Sequence, residues 1–262
     1  MTLSGKAAIV TGSTSGIGLG IAKAFAAEGC SVLLNGFLPP GVSEAELIAE
    51  VAGDTGVTVG FHGADLSKPE AVRAMVAAGE ALMGKVDILV NNAGIQFTSP
   101  IQSFPEERWD AVIAINLSAV FHATKAALPG MQARNWGRIV NVASVHGLVA
   151  SVEKSAYVAA KHGVIGLTKV TALENATRQI TCNAVCPGWV LTPLVQKQID
   201  DRAAKQGITV EAATDQLLGE KQPSRRFVTP EQLAAQVLFL CSEAAQGMTG
   251  VNLVMDGGWT AQ

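Results

Sequence analysis

The chain has 262 residues, of which 48% are hydrophobic and 16% charged, with 19 basic and 22 acidic side chains. This apolar content excludes a disordered chain, and the nearly neutral charge without a basic run argues against nucleic acid as a partner. Charged residues or glycines interrupt every apolar stretch before the ~20 residues of a membrane span, and no signal-peptide pattern begins the chain. The four cysteines are too scattered for a disulfide framework or a metal site, so we expect buried thiols, no metal and a cytoplasmic protein.

Short β-rich runs alternate with helical patterns along the whole chain, which is typical of parallel βαβ units. The runs at 7–11, 31–34, 57–61, 87–90, 138–142, 181–185 and 251–254 are the predicted strands. Helices are predicted at 17–27 and 155–173, and capping boxes begin further helices at Ser43, Ser67 and Thr229. We therefore predict an α/β fold: one domain over 1–262, with a doubly wound, Rossmann-like, mostly parallel sheet of seven strands and helices on both faces.

One segment breaks this alternation. Residues 191–228 form a long, charged, helical stretch where a short connection would suffice. An insertion beyond the carboxyl end of a strand is a candidate helical lid over a substrate. A solvated surface excursion is the alternative interpretation.

A glycine-rich segment, Thr11-Gly12-Ser13-Thr14-Ser15-Gly16-Ile17-Gly18, joins the first predicted strand to the first helix. Glycines at this place allow a tight turn and a close approach of backbone to a pyrophosphate, whose charge then meets the helix N-terminus. The position between strand and helix makes the motif far more specific than its glycines alone. A plain glycine-rich turn is the alternative.

The G-x3-G-x-G spacing resembles that of the short-chain dehydrogenase/reductase family. Further motifs follow in that family's order over essentially the whole chain: Asn91-Asn92-Ala93-Gly94, Asn116, Ser144, Tyr157-x3-Lys161 and Pro187-Gly188. The resemblance implies hydride transfer between a secondary alcohol and a nicotinamide dinucleotide. It implies cofactor contacts at Gly12, Thr14, Ser15, Gly16, Ile17, Gly18, Phe37, Asp65, Leu66, Asn92, Gly94, Tyr157, Lys161, Pro187, Gly188, Val190 and Thr192.

The choice of dinucleotide can be argued from charge. A 2′-phosphate needs Lys or Arg near the glycine loop or the second strand, and residues 24–67 contain neither. NAD is therefore the predicted cofactor. The second strand ends without the ribose-binding Asp of NAD-dependent relatives, which leaves the 2′-hydroxyl to Asn35 or backbone groups and Phe37 to the adenosine. Asp65 resembles the family's adenine-binding position but can equally be a turn residue.

The candidate catalytic residues are Asn116, Ser144, Tyr157 and Lys161. Tyr157 is the only tyrosine, and Lys161 lies four residues further, on the same helical face. A neighbouring ammonium is expected to lower the pKa of the phenol from ~10, so that it can exchange a proton with the alcohol. Ser144 can donate to the substrate oxygen, and the resemblance implies that Asn116 distorts its helix and organises a water relay to Lys161. Structural roles for all four residues are the alternative.

The substrate can be narrowed by polar residues near the expected pocket: Gln96, His146, Lys154 and Gln198. Four hydrogen-bonding groups, one of them cationic, suit a small carboxylate better than an apolar ketone. The segments 142–157, 186–190, 220–224 and 256–261 resemble bacterial family members that interconvert D-3-hydroxybutyrate and acetoacetate. That resemblance implies carboxylate contacts at the four polar residues, a pocket wall at Trp189, and a homotetramer with residues 259–262 near an interface.

Alternatives remain at each of these positions. His146 can be a satisfied core histidine, Lys154 and Gln198 solvated helix residues, and Trp189 a core or interface aromatic. Another small hydroxy acid or a 3-oxoacyl thioester would be the nearest rival substrate. A catalytically idle nucleotide-binding protein is the rival from another class.

Overall fold

A computed structural model describes residues 3–261, apart from the side chain of Leu194; the predicted domain also takes in Met1, Thr2 and Gln262, which lie outside that range. The strands are β1 (Ala7–Val10), β2 (Ser31–Asn35), β3 (Val59–His62), β4 (Ile88–Asn91), β5 (Gly137–Val142), β6 (Ile180–Pro187) and β7 (Asn252–Met255). The helices are α1 (Gly16–Ala27), α2 (Glu44–Ala52), α3 (Pro69–Met83), α4 (Glu106–Ile113), α5 (Ala119–Arg134), α6 (Ser155–Glu174), α7 (Pro193–Gln206), α8 (Val210–Lys221) and α9 (Pro230–Cys241).

The strands form one sheet in the order β3-β2-β1-β4-β5-β6-β7, and every pairing in it is parallel. Successive side chains of a strand point to opposite faces. Accordingly, Ala8 and Val10 of β1 belong to a core cluster with α1, α2 and α9, whereas Ile9 belongs to a cluster with α3 and α5. The predicted doubly wound, Rossmann-like sheet with helices on both faces is confirmed.

The strand order reverses at β1, which pairs with β2 on one side and β4 on the other. Ligands of open α/β sheets bind at such a reversal, beyond the carboxyl ends of the strands. The loops that follow β1 and β4 carry the glycine-rich segment and Asn92. The fold therefore brings these two motifs to one end of the sheet.

Two of the three predicted capping boxes are present, at Ser43 with Glu46 and at Thr229 with Gln232. The third is wrong, because Ser67 does not cap α3. Its hydroxyl and amide both donate to the Asp65 carboxylate, at 2.7 and 3.0 Å, and the helix begins at Pro69 after Lys68. Asp65 offers Ser67 a nearer charged acceptor than Glu70 does, so a turn forms in place of the cap.

The helical run Glu106–Arg134 is long and apolar enough, by length and composition, to cross a membrane. Its inner residues Val112, Ala123, Ala127 and Met131 are buried within the protein core. Core helices of soluble proteins meet the same criterion. Length and composition are therefore weak evidence that this run crosses a membrane.

Residues 191–228 leave the sheet after β6 and contain α7 and α8. A parallel bridge pairs Val190 with Val228, and the Val228 amide donates to the Trp189 carbonyl at 2.9 Å. The two ends of the excursion are thus held side by side. Its helices pack on each other through an apolar cluster that includes Val195, Ile199 and Leu217.

Candidate active site

A cavity of about 440 Å³ lies at the carboxyl ends of the strands, between the loops after β1, β4, β5 and β6 and the first turns of α7. All predicted site residues except Asn116 and Gly18 line it. These lining residues are Gly12, Thr14, Ser15, Gly16, Ile17, Phe37, Asp65, Leu66, Asn92, Gly94, Gln96, Ser144, His146, Lys154, Tyr157, Lys161, Pro187, Gly188, Trp189, Val190, Thr192 and Gln198.

The glycine loop has the shape of a phosphate cradle. Ser15, the N-cap of α1, makes no side-chain capping bond, so its side chain does not cover the amides of the first helical turn. Gly12 has φ 62°, a left-handed conformation that favours glycine. Asn92 ties this loop to β4, because its amide nitrogen donates to the carbonyls of Thr11 and Gly12, both at 2.9 Å. The loop therefore fits the pyrophosphate of a dinucleotide.

We expect Gly18→Ala to weaken NADH binding by at least about tenfold. A Cβ at Gly18 would overlap the Gly12 carbonyl oxygen and lie 2.5 Å from Nδ2 of Asn92. The added methyl group would thus disrupt the hydrogen bond from Asn92 to the Gly12 carbonyl, which shapes the cradle. Fluorescence titration with NADH measures the effect. Gly247→Ala is the matched control, since nothing lies within 4 Å of its added Cβ, and equal affinities in the two variants would contradict this role of Gly18.

The adenosine end differs from one of the sequence predictions. Asn35 is fully buried; its amide nitrogen donates to the carbonyls of His62 and Ala64, and its oxygen accepts from the Gly12 amide. It is a structural bridge between strands, so the ribose hydroxyls are left to backbone groups. Phe37, 78% exposed, lines the cavity where an adenine ring can pack. Asp65 also lines it, although its carboxylate serves the turn with Ser67.

Asn116 lies beneath the cavity, in a π-helical turn, Ala114–Ser118, between α4 and α5. The helix distortion that the family resemblance implies is therefore present. The fully buried side chain accepts from the Ile95 amide at 2.8 Å and donates to the Ile95 carbonyl at 2.9 Å. Asn116 thus fixes the loop that carries Gly94 and Gln96 into the cavity.

Ser144, Tyr157 and Lys161 meet at the base of the cavity. Ser144 is an N-cap after β5 and hydrogen-bonds with the phenol of Tyr157, while Lys161 lies one turn along α6 with Nζ 5.6 Å from the centre of the Tyr157 ring. The ammonium donates to the Val142 carbonyl at 2.7 Å, and burial lowers the pKa of Lys161 to about 8.

The expected lowering of the Tyr157 pKa is not found in this structure. Burial raises the pKa of Tyr157, and the hydrogen bond with Ser144 only opposes that rise. Desolvation of the buried phenolate is the dominant cause. Tyr157 is therefore a protonated phenol at neutral pH in this arrangement.

The buried ring of His146 has a partner at each nitrogen. Nε2 lies 3.0 Å from the Ser151 hydroxyl, and Nδ1 lies 3.4 Å from the Ser144 hydroxyl. The ring packs edge-to-face on Tyr157 and on Trp259, with centroids 5.9 and 5.3 Å apart. His146 also lines the cavity, and the carboxylate contact that the resemblance implies for it stays a prediction.

Lys154 brings a positive charge to the other side of the cavity. Its ammonium lies 5.2 Å from the centre of the Trp189 ring, and burial lowers its pKa. No carboxylate among residues 3–261 forms an ion pair with it. Nε1 of Trp189 is a buried donor, again without a partner in the described chain. Gln96 and Gln198 line the same cavity, which is therefore rich in donors.

Two residues that the sequence analysis did not identify help to build the site. Trp259, 7% exposed, lines the cavity and packs on Trp189, with centroids 5.8 Å apart. It forms part of the pocket wall, and its expected place near an interface stays a prediction. Gln222, 1% exposed, accepts from the Trp189 amide at 2.8 Å and donates to the Arg226 carbonyl. An amide amid the charged stretch 220–226 is the signal that could have indicated its role.

Comparisons with known proteins match the chain to dehydrogenases and reductases. The family described as enoyl-(acyl carrier protein) reductase matches residues 12–260. D-beta-hydroxybutyrate dehydrogenase of Cupriavidus necator is 59% identical over 99% of this chain and 100% of its own length. The protein of the same name from Rhizobium meliloti is 51% identical over 98% and 99% of the two chains. L-sorbose reductase from Gluconobacter frateurii, solved with NADPH and L-sorbose, superposes with a TM-score of 0.94 at 32% identity, over 100% and 99% of the chains.

The fold and the site define a nucleotide-dependent oxidoreductase of the Rossmann type. The chain belongs to the short-chain dehydrogenase/reductase family. Full-length relatives at 59% and 51% identity are D-beta-hydroxybutyrate dehydrogenases.

Proposed function

We propose that the chain oxidises D-3-hydroxybutyrate to acetoacetate reversibly, with NAD as cofactor. The observation that carries this proposal is the ammonium of Lys154, which pairs with no carboxylate of residues 3–261, in the cavity that also holds Ser144 and Tyr157. A partly buried cation without a protein counter-ion suits an anionic ligand, because burial of an unpaired charge is costly. Relatives at 59% and 51% identity, named for this substrate, support the choice.

The substrate carboxylate is assigned to Lys154, Gln96, His146 and Gln198. The N–H of Trp189, which has no partner among the described residues, is a further donor. Asp65 is the only acidic residue among those that line the cavity in the described chain. It belongs to the proposed adenosine end, so none of the described lining residues brings a like charge to the substrate carboxylate. The ring of Trp189 offers an apolar wall beside the ammonium, which suits the short carbon chain of the substrate.

The reacting oxygen of the substrate is assigned to Ser144 and Tyr157. A bound nicotinamide cofactor supplies the hydride acceptor for the oxidation. In that direction the Tyr157 phenol first loses its own proton to solvent, and the resulting phenolate oxygen takes the alcohol proton; in the reduction of acetoacetate the phenol donates its proton to the substrate oxygen. The Ser144 hydroxyl donates to the substrate oxygen as charge develops on it. Lys161 is buried beside these two residues and shielded from water. The π-helical turn at Asn116 holds the loop that faces Ser144 and Tyr157.

Residues 191–228 are proposed to act as the substrate lid. Gln198 and Val195 of α7 line the cavity, while the far sides of α7 and α8 are exposed. Gln222 and the bridge between Val190 and Val228 hold the base of this segment. Closure of α7 over bound carboxylate would exclude water from the reacting atoms.

NAD is proposed over NADP on the basis of charge at the adenosine end. The only basic side chains that line the cavity in the described chain are Lys154 and Lys161, at the opposite end. L-sorbose reductase was solved with NADPH, so the fold itself does not exclude NADP. Specificity then depends on the residues after β2, where this chain has Gly36 and Phe37.

We expect Phe37→Arg to raise kcat/KM with NADP by about tenfold, because a guanidinium at this exposed position can pair with the 2′-phosphate. Initial rates with each dinucleotide measure the effect. Phe37→Gln is the matched control: it removes the same ring but adds no charge. A similar gain in both variants would contradict the electrostatic explanation.

The test of the proposed activity is NADH formation, followed by absorbance, with D- and with L-3-hydroxybutyrate. We expect turnover of the D enantiomer alone. Turnover of neither enantiomer would overturn the proposal and would favour a 3-oxoacyl thioester or another hydroxy acid as substrate.

A cytoplasmic homotetramer is also proposed. The four cysteines are buried free thiols, as is usual in a reducing compartment. Phe121 of α5 and Val170 and Leu173 of α6 are 45%, 52% and 77% exposed, which suits faces covered by further copies. Sedimentation velocity is expected to show a tetramer, with weaker assembly in Leu173→Glu; a monomeric wild type would contradict this.

A further inference from the structure

Two of the residues assigned to the substrate carboxylate, Gln96 and Lys154, lie on separate loops. Gln96 belongs to the loop after β4, and Lys154 ends the loop between β5 and α6. Their side chains line the same cavity, so the binding of one carboxylate by both depends on the distance between the two loops. Within residues 3–261, one hydrogen bond joins these loops: the Ser99 amide donates to the Glu153 carbonyl at 2.9 Å.

Glu153 accepts this hydrogen bond from an unusual backbone conformation. Its φ is 64°, in the left-handed region that few residues other than glycine, asparagine and aspartate adopt. Its side chain is exposed, and its carboxylate forms no ion pair with any described residue. The conformation therefore does not serve a contact of the side chain. It serves the backbone, which presents its carbonyl to Ser99.

The turn at Glu153 also determines where Lys154 and α6 begin. Lys154 follows directly as the N-cap residue, and its carbonyl accepts from the Val158 amide at 2.8 Å. An extended or right-handed backbone at Glu153 would turn its carbonyl away from Ser99 and change the direction in which the chain enters Lys154. The position of the Lys154 ammonium thus depends on the conformation of the residue before it.

We infer that Glu153 is a positioning residue for the substrate carboxylate: its left-handed backbone holds the hydrogen bond to Ser99 and so fixes the distance between Lys154 and Gln96. This inference rests on the carboxylate site of the proposed function. Glu153 does not line the cavity and touches no reacting atom. Because two loops held at a fixed distance need less ordering when the ligand binds, the effect is expected in substrate binding more than in the chemical step.

The direct test removes the hydrogen bond at its donor. Ser99→Pro lacks the amide hydrogen. Ser99→Ala is the matched control: it keeps the amide, and both variants lose the hydroxyl, which donates to the Pro100 and Ser103 carbonyls. We expect KM for D-3-hydroxybutyrate to rise about tenfold in Ser99→Pro and to stay near the wild-type value in Ser99→Ala. In both variants kcat is expected within about threefold of the wild type, and the dissociation constant of NADH within about twofold.

Substitutions of Glu153 test its conformation, and they do not require Ser99→Pro to fold. Glu153→Gln, Glu153→Asn and Glu153→Val all remove the charge. Asparagine favours the left-handed region, whereas the branched Cβ of valine opposes it. Relative to Glu153→Gln, we expect a melting temperature about 2 °C higher in Glu153→Asn and about 2 °C lower in Glu153→Val. KM for D-3-hydroxybutyrate is expected to be about fivefold higher in Glu153→Val than in Glu153→Gln, with kcat little changed.

Equal KM values for D-3-hydroxybutyrate in Ser99→Pro and Ser99→Ala, or in Glu153→Val and Glu153→Gln, would each overturn the inference. So would a matching rise in the dissociation constant of NADH, because it would indicate a general disruption of the cavity. Circular dichroism checks that the variants are folded.

Calorimetric titration of the enzyme–NAD complex with butyrate separates this inference from the proposed function, since butyrate has the carboxylate but no hydroxyl to oxidise. If the wild type binds butyrate without oxidising D-3-hydroxybutyrate, the proposed function fails. Weaker binding of butyrate by Ser99→Pro than by Ser99→Ala would then still support the role of Glu153, and equal binding would overturn it. A wild type that neither oxidises D-3-hydroxybutyrate nor binds butyrate would overturn both.

Discussion

We expect Tyr157→Phe to lower kcat for oxidation of D-3-hydroxybutyrate by about 10³-fold, the effect of losing a general acid–base group. Tyr157 is the only tyrosine among 13 aromatic residues, the others being 8 Phe and 4 Trp. No other phenol can therefore replace it. The phenylalanine ring keeps the packing against His146 and removes only the hydroxyl that exchanges the proton.

Two further measurements are made on the wild type and on Tyr157→Phe beside the kcat values. NADH binding by fluorescence and the circular dichroism spectrum are expected to stay at wild-type values, which separates lost chemistry from lost structure. The phenolate absorbance of the wild type is expected to titrate above the ordinary ~10, because burial raises the pKa of Tyr157, and to vanish in the variant. A kcat within tenfold of the wild-type value would exclude Tyr157 as the acid–base group.

The second large effect is expected for Lys154→Ala. A hydrogen bond to a charged group contributes about 1.5–3 kcal/mol, so KM for D-3-hydroxybutyrate should rise by about 10- to 100-fold. A neutral secondary alcohol of similar size has no carboxylate to lose, and its KM should change little. The comparison of the two alcohols isolates the contribution of charge at the cavity.

Lys205→Ala is the matched control for that experiment. It removes the same charge from an exposed position at the end of α7, outside the cavity. Both KM values are expected to stay near those of the wild type. Equal losses for the charged and the neutral alcohol in Lys154→Ala would contradict the proposed carboxylate site.

Local patterns predicted most of the fold. All seven strands lie within two residues of their predicted positions, because a parallel strand of such a sheet is a short apolar run between turns. The capping boxes at Ser43 and Thr229 were predictable for the same reason, since each involves a partner three residues away. Ser67 failed because the competing acceptor, Asp65, lies before the predicted box.

The site was less predictable where it depends on distant contacts. Gln222 reaches Trp189 across 33 residues, and Trp259 packs on His146 from the far end of the chain. Whether the Asn35 side chain is free to bind a ligand could not be judged from β2 alone, because its partners His62 and Ala64 lie at the end of β3 and just after it. The pKa of Tyr157 likewise depends on its burial, which its spacing from Lys161 in the sequence does not show.

The most direct test of the central claim uses D-3-hydroxybutyrate deuterated at C3, with mass spectrometry of both products. The account predicts that the deuterium passes to the nicotinamide ring and that acetoacetate forms in equal amount with the wild type, and that Tyr157→Phe forms neither product at a comparable rate. Acetoacetate without deuterium in the reduced cofactor, or no acetoacetate at all from the wild type, would contradict it.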